Sequence, residues 1–389
     1  VPGGVIYQEN PNYRDMPKPA EDDIAKEGKA KPRLDFRKTS LFPAAEVVTN
    51  QVADSILNDS PYPVEVAIGF NCNFNMSAPG AWRWDKALKK VPYYVHIAPF
   101  VSEMAEYADI ILPASTFLEE WSYDHSPPGS GFAEAKIKQP VVEPLPGTKC
   151  ITDIIFEIAR RLGETVAQSF THIGGDAEGF VRYRTETLMP WKDFREKGVW
   201  VGPAYQYHKY DRIFNTPSKK FEFYSGNLET RLRETGKFNR LACLPHHEDV
   251  EFLGDRDRYP LLLSTYQPLL NIENGSQNYP WAQEIFLVMH GRGWTNFAEI
   301  NSKTAHALGI RDGDMVWVES SFSRIKVRAR VFEGIHPQVV SISCGQGHYA
   351  YGRWAKGIGV NPNEIIGVDY DHISGQSASF NTRVKVYKA

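Results

Sequence analysis

The chain has 389 residues, 42% of them apolar and 23% charged, with 44 basic residues against 47 acidic ones and a net charge of −3. That length suggests roughly two or three domains, and the near-neutral balance excludes a basic nucleic-acid binder or an acidic tail. No apolar stretch of about 18 residues occurs, so no transmembrane helix is expected; the longest apolar runs, such as residues 285–289, are strand-sized.

Residues 1–45 show no period and are rich in Pro and charge, the mark of an irregular surface-wrapping segment. The first residues, Val1 to Gly4, lack a Met and a charged-then-apolar leader, which suggests processing or a start inside a larger protein. Residues 46–170 alternate between strands and helices. Residues 64–68 form a β-branched run ending at Gly69, 82–90 a helix with Leu88 inward, and 93–97 a strand stopped by Pro99. Residues 102–107 are helix-like, and 109–112 make a strand stopped by Pro113. Residues 153–162 then give an amphipathic helix, with Ile154, Ile155, Ile158, Ala159 and Leu162 on one side and Gly163 as its stop. This order predicts a helix-covered parallel sheet, with ligands at the carboxyl ends of the strands near Asn71 and Pro99.

Residues 171–258 read as a linking region with short helices, and 214–225 as a hairpin or strand carrying Phe221 and Phe223. Residues 259–389 change character. Strands are predicted over 261–263, 315–319, 325–331, 339–343 and 384–387, with one helix over 302–308 capped by Asn301 and ended by Gly309. Short strands with turn punctuation predict a β-barrel.

The loop 69–79 is rich in Asn and small residues, which suits a phosphate or a nucleotide base but equally a plain polar loop. Gly345, Gly347 and His348 follow a strand, with Gly359, Asn361 and Asn363 close behind; two Gly/Asn-rich loops in one barrel are hard to read as turns alone. Glu119, Glu120, Asp124 and His125 form a local acidic cluster with no second half, read as a solvated or ion-paired face. The tract from His246 to Asp249 lacks any catalytic spacing. Cys72, Cys150, Cys243 and Cys344 are too sparse for a disulfide framework and show no metal-binding spacing. No nucleophile elbow, P-loop or GxGxxG is present.

Five segments together resemble the molybdopterin oxidoreductases of the dimethyl sulfoxide reductase type. Residues 108–113, followed by Glu119, are similar to the family's ADxxLP…E strand, and 139–144 to its passage out of that domain. Residues 216–225 resemble its TPSGKxEFYS segment. Residues 299–316 are similar to the start of its C-terminal dinucleotide-binding barrel. Residues 347–363 and the pair Ser374-Gly375 are similar to that barrel's end. Three positions depart from the pattern: Lys219 stands for Gly, Ala98 for an acidic or polar residue, and Met104 for the Thr of ETA.

The resemblance implies an α/β fold: a parallel-sheet, Rossmann-like portion over 46–170, then a linking region over 171–258. A six-stranded double-psi β-barrel over 259–389 follows. It implies two molybdopterin guanine dinucleotides holding one Mo or W. Asn71, Asn73 and Ser77 would face a guanosine or its phosphates. Thr265, Gln267, Ser276, Gln277, Gly347, His348, Tyr349, Asn361 and Asn363 would hold pterin and phosphate groups. The family's metal-ligand segment and its 4Fe-4S cysteines are not in these residues, so the chain is expected to be the C-terminal half of such a protein. The other half of the same protein, an iron–sulfur electron-transfer subunit and a quinone-linked membrane subunit are the implied partners. Phrases around 294–300 and 348–359 are most similar to the polysulfide, thiosulfate, tetrathionate and arsenate reductase branch. Export to the periplasmic or extracytoplasmic side is common for that branch, with the cytoplasm as the alternative. The resemblance allows two functions: an oxidoreductase acting on a sulfur compound or oxyanion, or a non-catalytic scaffold subunit of a membrane quinone-oxidoreductase complex.

Overall fold

The computed structural model describes residues 10–125, 131–204, 214, 216–269, 275–291 and 293–389, the side chains of 286–290 apart. The first layer is a small parallel sheet with helices. In chain order come α1 (Asp23–Ala30), α2 (Gln51–Leu57), β1 (Val66–Phe70), α3 (Phe74–Ser77), α4 (Trp82–Lys90), β2 (Tyr93–Ala98) and β3 (Ile110–Pro113). β1 pairs parallel with β2, and β2 with β3, so β2 is central. Helices α2 and α4 cover one face. Ala53, Ile56, Trp84, Ala87 and Leu88 pack there against Tyr94 of β2 and Met104 beyond it. The helix-like segment 102–107 is a single 3₁₀ turn, Met104–Tyr107.

The helix α1 corrects the reading of 1–45 as irregular. It is fixed by Asp22, whose side chain accepts the Ala25 N–H, and it buries no residue, so it has no apolar stripe for a periodicity search to detect.

Next come β4 (Ser122–His125), β5 (Phe132–Lys138), α5 (Ile151–Arg161), α6 (Glu164–Thr171), α7 (Ala177–Thr185), α8 (Trp191–Lys197) and β6 (Val199–Ala204). β4, β5 and β6 form an antiparallel sheet that the sequence did not announce. Its core joins Ala135 and Ile137 to Val181 of α7 and Phe194 of α8. Helix α5 buries Ile154 and Ala159 as expected of its period and also Phe156, which was not expected, while Ile155 and Ile158 are half-buried and Leu162 is its C-cap and 68% exposed. The expected strand over 214–225 is a turn preceding α9 (Gly226–Glu234), and Phe221 and Phe223 alternate only into solvent.

The remainder closes on itself. Strands β7 (Leu261–Tyr266), β8 (Phe297–Ile300), β9 (Met315–Ser320), β10 (Arg324–Val331), β11 (Val339–Ser343) and β12 (Arg383–Lys388) form a barrel in the order β10-β8-β11-β7-β12-β9. Strict alternation in β9, β10 and β12 places Val316, Val318, Ile325, Val327, Val384 and Val386 inside. All four residues of β8 are buried, so that strand has no alternation and escaped prediction. Helix α10 (Pro280–His290) contains the apolar run 285–289, which is helical and not a strand. Helix α11 (Ser302–Ala307) follows β8, with Asn301 accepting the Lys303 N–H as its cap.

The barrel and the parallel sheet share a polar seam. Asn361 donates to the Asn75 carbonyl at 3.3 Å, and Asn363 to the Met76 carbonyl at 2.6 Å. In return the Asn363 carbonyl accepts the Gly80 N–H at 3.0 Å, at the start of α4. Gly80 has φ +64°, and a Cβ there would lie 2.7 Å from Val368.

Candidate functional site

A cleft of about 700 Å³ opens at the carboxyl ends of β1 and β2, where a parallel sheet is expected to bind ligands. Its lining comes from both layers. Asn71, Cys72, Asn73, Phe74 and Ser77 follow β1, His96 to Ser102 close β2, and Gly275, Ser276, Tyr279 and Tyr351 belong to the barrel loops. Asn71 leaves β1 in the left-handed region at φ +45°, a conformation Asn tolerates, and its N–H donates to the Ile97 carbonyl at 3.1 Å. That bend begins the loop along the cleft.

Behind the lining residue Asn73 lies Glu103, a residue sequence reading did not single out. Its carboxylate is fully buried and bridges the layers. It accepts from Asn73 at 2.7 Å and from the Tyr349 and Ala350 N–H groups at 2.9 and 3.0 Å. The His348 Nδ1 lies 3.1 Å from each oxygen. Burial alone would raise the carboxyl, but bonds from His348, Asn73 and the backbone to the charged form outweigh it and lower the group from 4.5 to about 2. An ionised carboxylate only accepts, so Nδ1 of His348 carries the proton. Its other nitrogen, Nε2, is buried and bonds to nothing among the described residues. Gln277, 1% exposed, leaves both ends of its side-chain amide equally unpaired, while Gln283 holds its backbone carbonyl at 3.0 Å. Such atoms also occur at Asn50, Asn75, Arg83, Tyr370 and Asn381, but Gln277 adjoins Ser276 and His348 stacks on Tyr351 at 4.9 Å, and Ser276 and Tyr351 both line the cleft.

His96 is the second buried imidazole. It is held by the Tyr94 hydroxyl at 2.7 Å and Ser102 at 3.4 Å, and burial pushes its pKa down, so it stays neutral. Phe100, Tyr279 and Tyr351 form an aromatic wall, with the Tyr279 ring centroid 6.4 Å and the Tyr351 centroid 5.6 Å from that of Phe100. No Lys or Arg lines the cleft among the described residues. Its chemistry is therefore that of a flat heterocycle with amide-like edges: aromatic faces to stack on and neutral donors and acceptors at the rim.

Of the residues proposed from sequence, Asn71, Asn73, Ser77 and Ser276 line this cleft. Asn73 and Ser77 spend donors inside the protein, on Glu103 and on the Asn73 carbonyl. Gly347, His348 and Tyr349 meet Glu103 from the barrel side. A Cβ on Gly347, at φ +94°, would lie 2.3 Å from the Asn361 nitrogen, so this position requires glycine. The Tyr349 hydroxyl donates to Asp85 at 3.2 Å. Asn361 and Asn363 are buried in the seam, their amides already bonded to the α/β layer. Thr265 lies in β7 and Gln267 just beyond it, on the exposed side; neither lines the cleft. Residues 270–274 of that loop lie outside the described residues.

Within the acidic cluster, Asp124 is exposed and pairs with Lys138 at 3.9 Å as expected, but Glu119 departs from that reading. Glu119 is 7% exposed, not solvated, and accepts the Thr116 and Leu145 N–H groups at 2.6 and 2.8 Å. His246 pairs with Glu248 at 2.7 Å on the surface, and no metal-holding group of residues occurs among the described ones. All four cysteines are free thiols.

Comparison with known proteins follows the same division. A family profile described as Molydopterin dinucleotide binding domain matches residues 261–382, the barrel and its loops. The chain is 34% identical over 437 residues to the arsenate respiratory reductase molybdopterin-containing subunit of Chrysiogenes arsenatis, covering 95% of this chain and 52% of that protein. It is 32% identical to the like-named subunit of Shewanella sp. strain ANA-3, covering 94% of this chain and 50% of that protein. The chain thus spans about half the length of these curated relatives. Among solved structures, acetylene hydratase from Pelobacter acetylenicus matches with a TM-score of 0.68 at 21% identity, over 88% of this chain and 47% of that one, a likeness of fold alone.

Proposed function

Because the chain belongs to the molybdopterin oxidoreductase family, we propose that it forms the dinucleotide-binding part of a molybdenum reductase for an oxyanion of the arsenate class. The observation that carries this reading is a coincidence of place. The barrel that matches the dinucleotide-binding profile also supplies the cleft's second wall, the His348 Nε2 and the Gln277 side-chain amide that have no partner among the described residues. The residues fit such a group: a pterin or guanine needs stacking faces and amide-type partners, and this cleft offers both.

When bound, the metal–pterin group supplies the two-electron chemistry. The chain's own residues bind and orient. Glu103 holds the His348 ring by Nδ1, which fixes where Nε2 points. Asn71 and Ser276 stand at the rim, and Phe100, Tyr279 and Tyr351 keep water off one face of a ring. The finer features belong to the same proposal. They are a double-psi connection of the barrel strands, paired guanine dinucleotides on Mo or W, and a 4Fe-4S cluster carried outside these residues. The functional division at 46–170, 171–258 and 259–389, electron delivery from an iron–sulfur subunit beside a quinone-linked membrane subunit, and an extracytoplasmic location complete it. The non-catalytic scaffold draws no support, since both relatives named above are respiratory reductase subunits.

The test is anaerobic purification of the protein from its complete reading frame. Molybdenum, tungsten and released guanine nucleotide are then measured, and reduced-viologen oxidation is assayed with arsenate and with thiosulfate. A well-folded sample without metal or nucleotide would sink the cofactor reading. A loaded sample that reduces thiosulfate and ignores arsenate would keep the cofactor and overturn the substrate class.

A further inference from the structure

The outer face of the barrel carries a basic row that the cleft does not use. Alternation in β10 sends Ile325, Val327 and Ala329 into the core, and so Arg324, Lys326, Arg328 and Arg330 to the outside. These four span about 20 Å of one strand. The ladder fixes what stands beside them. Arg324 faces Glu319, Lys326 faces Trp317 and Arg328 faces Met315 on β9, and Arg330 faces Glu299 on β8. Both of those carboxylates are already matched, Glu319 by Lys385 of β12 at 2.9 Å and Glu299 by Arg330 at 3.2 Å. No carboxylate lies within ion-pair distance of Arg324, Lys326 or Arg328 among the described residues, and all three are exposed. Their contacts are with uncharged groups. The Arg324 guanidinium lies 4.4 Å over the Trp317 ring and the Lys326 ammonium 5.9 Å from it, while Arg328 donates to the Gly313 carbonyl at 3.4 Å. Phe322 and Phe332, at the two ends of the row, are 44% and 42% exposed. Like charges in line repel one another, so the row works against the fold when nothing answers it. In a chain with a net charge of −3 it is a local reversal of sign.

We propose that this row seats the protein on an anionic phospholipid surface. The charges select the sign of the partner, and three further features select lipid over protein. The row lies on the outside of a closed barrel, a convex surface. An acidic protein would have to bring carboxylates to three fixed points in a matching hollow, whereas mobile headgroups gather around cations wherever they stand. Trp317 sits among the basic groups and the two phenylalanines bound them, and rings set among cations suit the boundary between headgroups and hydrocarbon. A second copy docked by two-fold symmetry would bring the same positive row against itself. Each basic group held near an anionic leaflet strengthens binding about fivefold, so three give about a hundredfold, enough for reversible attachment and no more.

Cosedimentation tests this with protein made from its complete reading frame. The vesicles are about two-thirds phosphatidylcholine and one-third phosphatidylglycerol, against pure phosphatidylcholine, in about 0.1 M salt. The expected result is binding to the anionic vesicles alone, lost at about 0.5 M salt, where screening shortens the reach of each charge. Lys326→Gln with Arg328→Gln should weaken that binding at least about tenfold. Lys192→Gln with Lys237→Gln, at two exposed lysines elsewhere, should change it less than about twofold. Equal binding to both kinds of vesicle, binding to neither, or the same loss in both variants overturns the proposal. So does capture by poly-L-glutamate or single-stranded RNA without vesicle binding, which gives the row to a protein or a nucleic acid. Should the double variant fail to fold, Lys326→Gln and Arg328→Gln are tested singly, each expected to lose about fivefold. Neither metal nor turnover is read, so this surface can fail while the cofactor assignment stands, and the reverse.

Discussion

Glu103 takes hydrogen bonds from four groups on two layers, and the one hint of it in the sequence is that it stands at the Glu of the ETA pattern from which Met104 departs. A Glu before Met104 on a 3₁₀ turn reads as an ordinary helix-start acid; its role exists only once residues 348–350 arrive from the barrel. His348 was legible because glycine precedes it in a loop, yet its partner and its free nitrogen were not. The Glu103→Gln variant removes the buried carboxylate that His348, Asn73 and two backbone N–H groups share. Breaking a buried pair in this way costs roughly 3–5 kcal/mol, to be read from urea midpoints at pH 7. The pH dependence has a definite sign. Glu103 is held at about 2 against an ordinary 4.5, so it stabilises the fold fully above about pH 5. That contribution, about 3 kcal/mol at 1.36 kcal/mol per unit, is lost as pH falls from 5 towards 2. The gap between wild type and Glu103→Gln should therefore narrow at pH 3; a constant gap would mean the carboxylate is not the group that titrates.

Among elements, alternation helped but did not decide: β11, buried almost throughout, was read from its β-branched run, while β5 alternates and was missed. Strands β9, β10 and β12 alternate and were found within a residue or two, whereas β8, buried on both sides, and α1, buried on neither, carry no period at all. The antiparallel sheet was missed because β5 spends its outward positions on Glu134, Lys136 and Lys138 amid a charged, loop-like stretch. The turn after Thr216 shows how a departure can preserve a shape. Lys219, where the family pattern has Gly, holds φ +55°, and its N–H still donates to the Thr216 carbonyl at 3.1 Å. A left-handed non-glycine residue costs about 1–2 kcal/mol, while glycine's extra unfolded freedom returns about 0.5–1. Lys219→Gly should thus be neutral or raise stability by up to about 1 kcal/mol, seen as a small rise in Tm. A clear fall would show that the lysine side chain has a positive role in the turn.

At the scale of the whole molecule, the site belongs to neither layer alone. The sequence announced the two architectures and two of the loops, but nothing in it told that Asn361 and Asn363 face the α/β layer and not the cleft, because a seam is a relation between distant segments. Asn363→Ala removes the donor to the Met76 carbonyl, which buried backbone geometry leaves unpaired, for about 1–3 kcal/mol. If the seam couples the layers, calorimetry should split one melting transition into two in this variant; a single transition at lower temperature would place the coupling elsewhere. The separation between Glu103 and His348, 245 positions along the chain, also has a meaning in time. Chains lengthen at about 5–20 residues per second, so this carboxylate waits about 12–50 seconds on the ribosome, hydrated and alone, before its imidazole is made. Throughout that interval the cleft has one wall. The second wall of the cleft is thus completed late in biosynthesis.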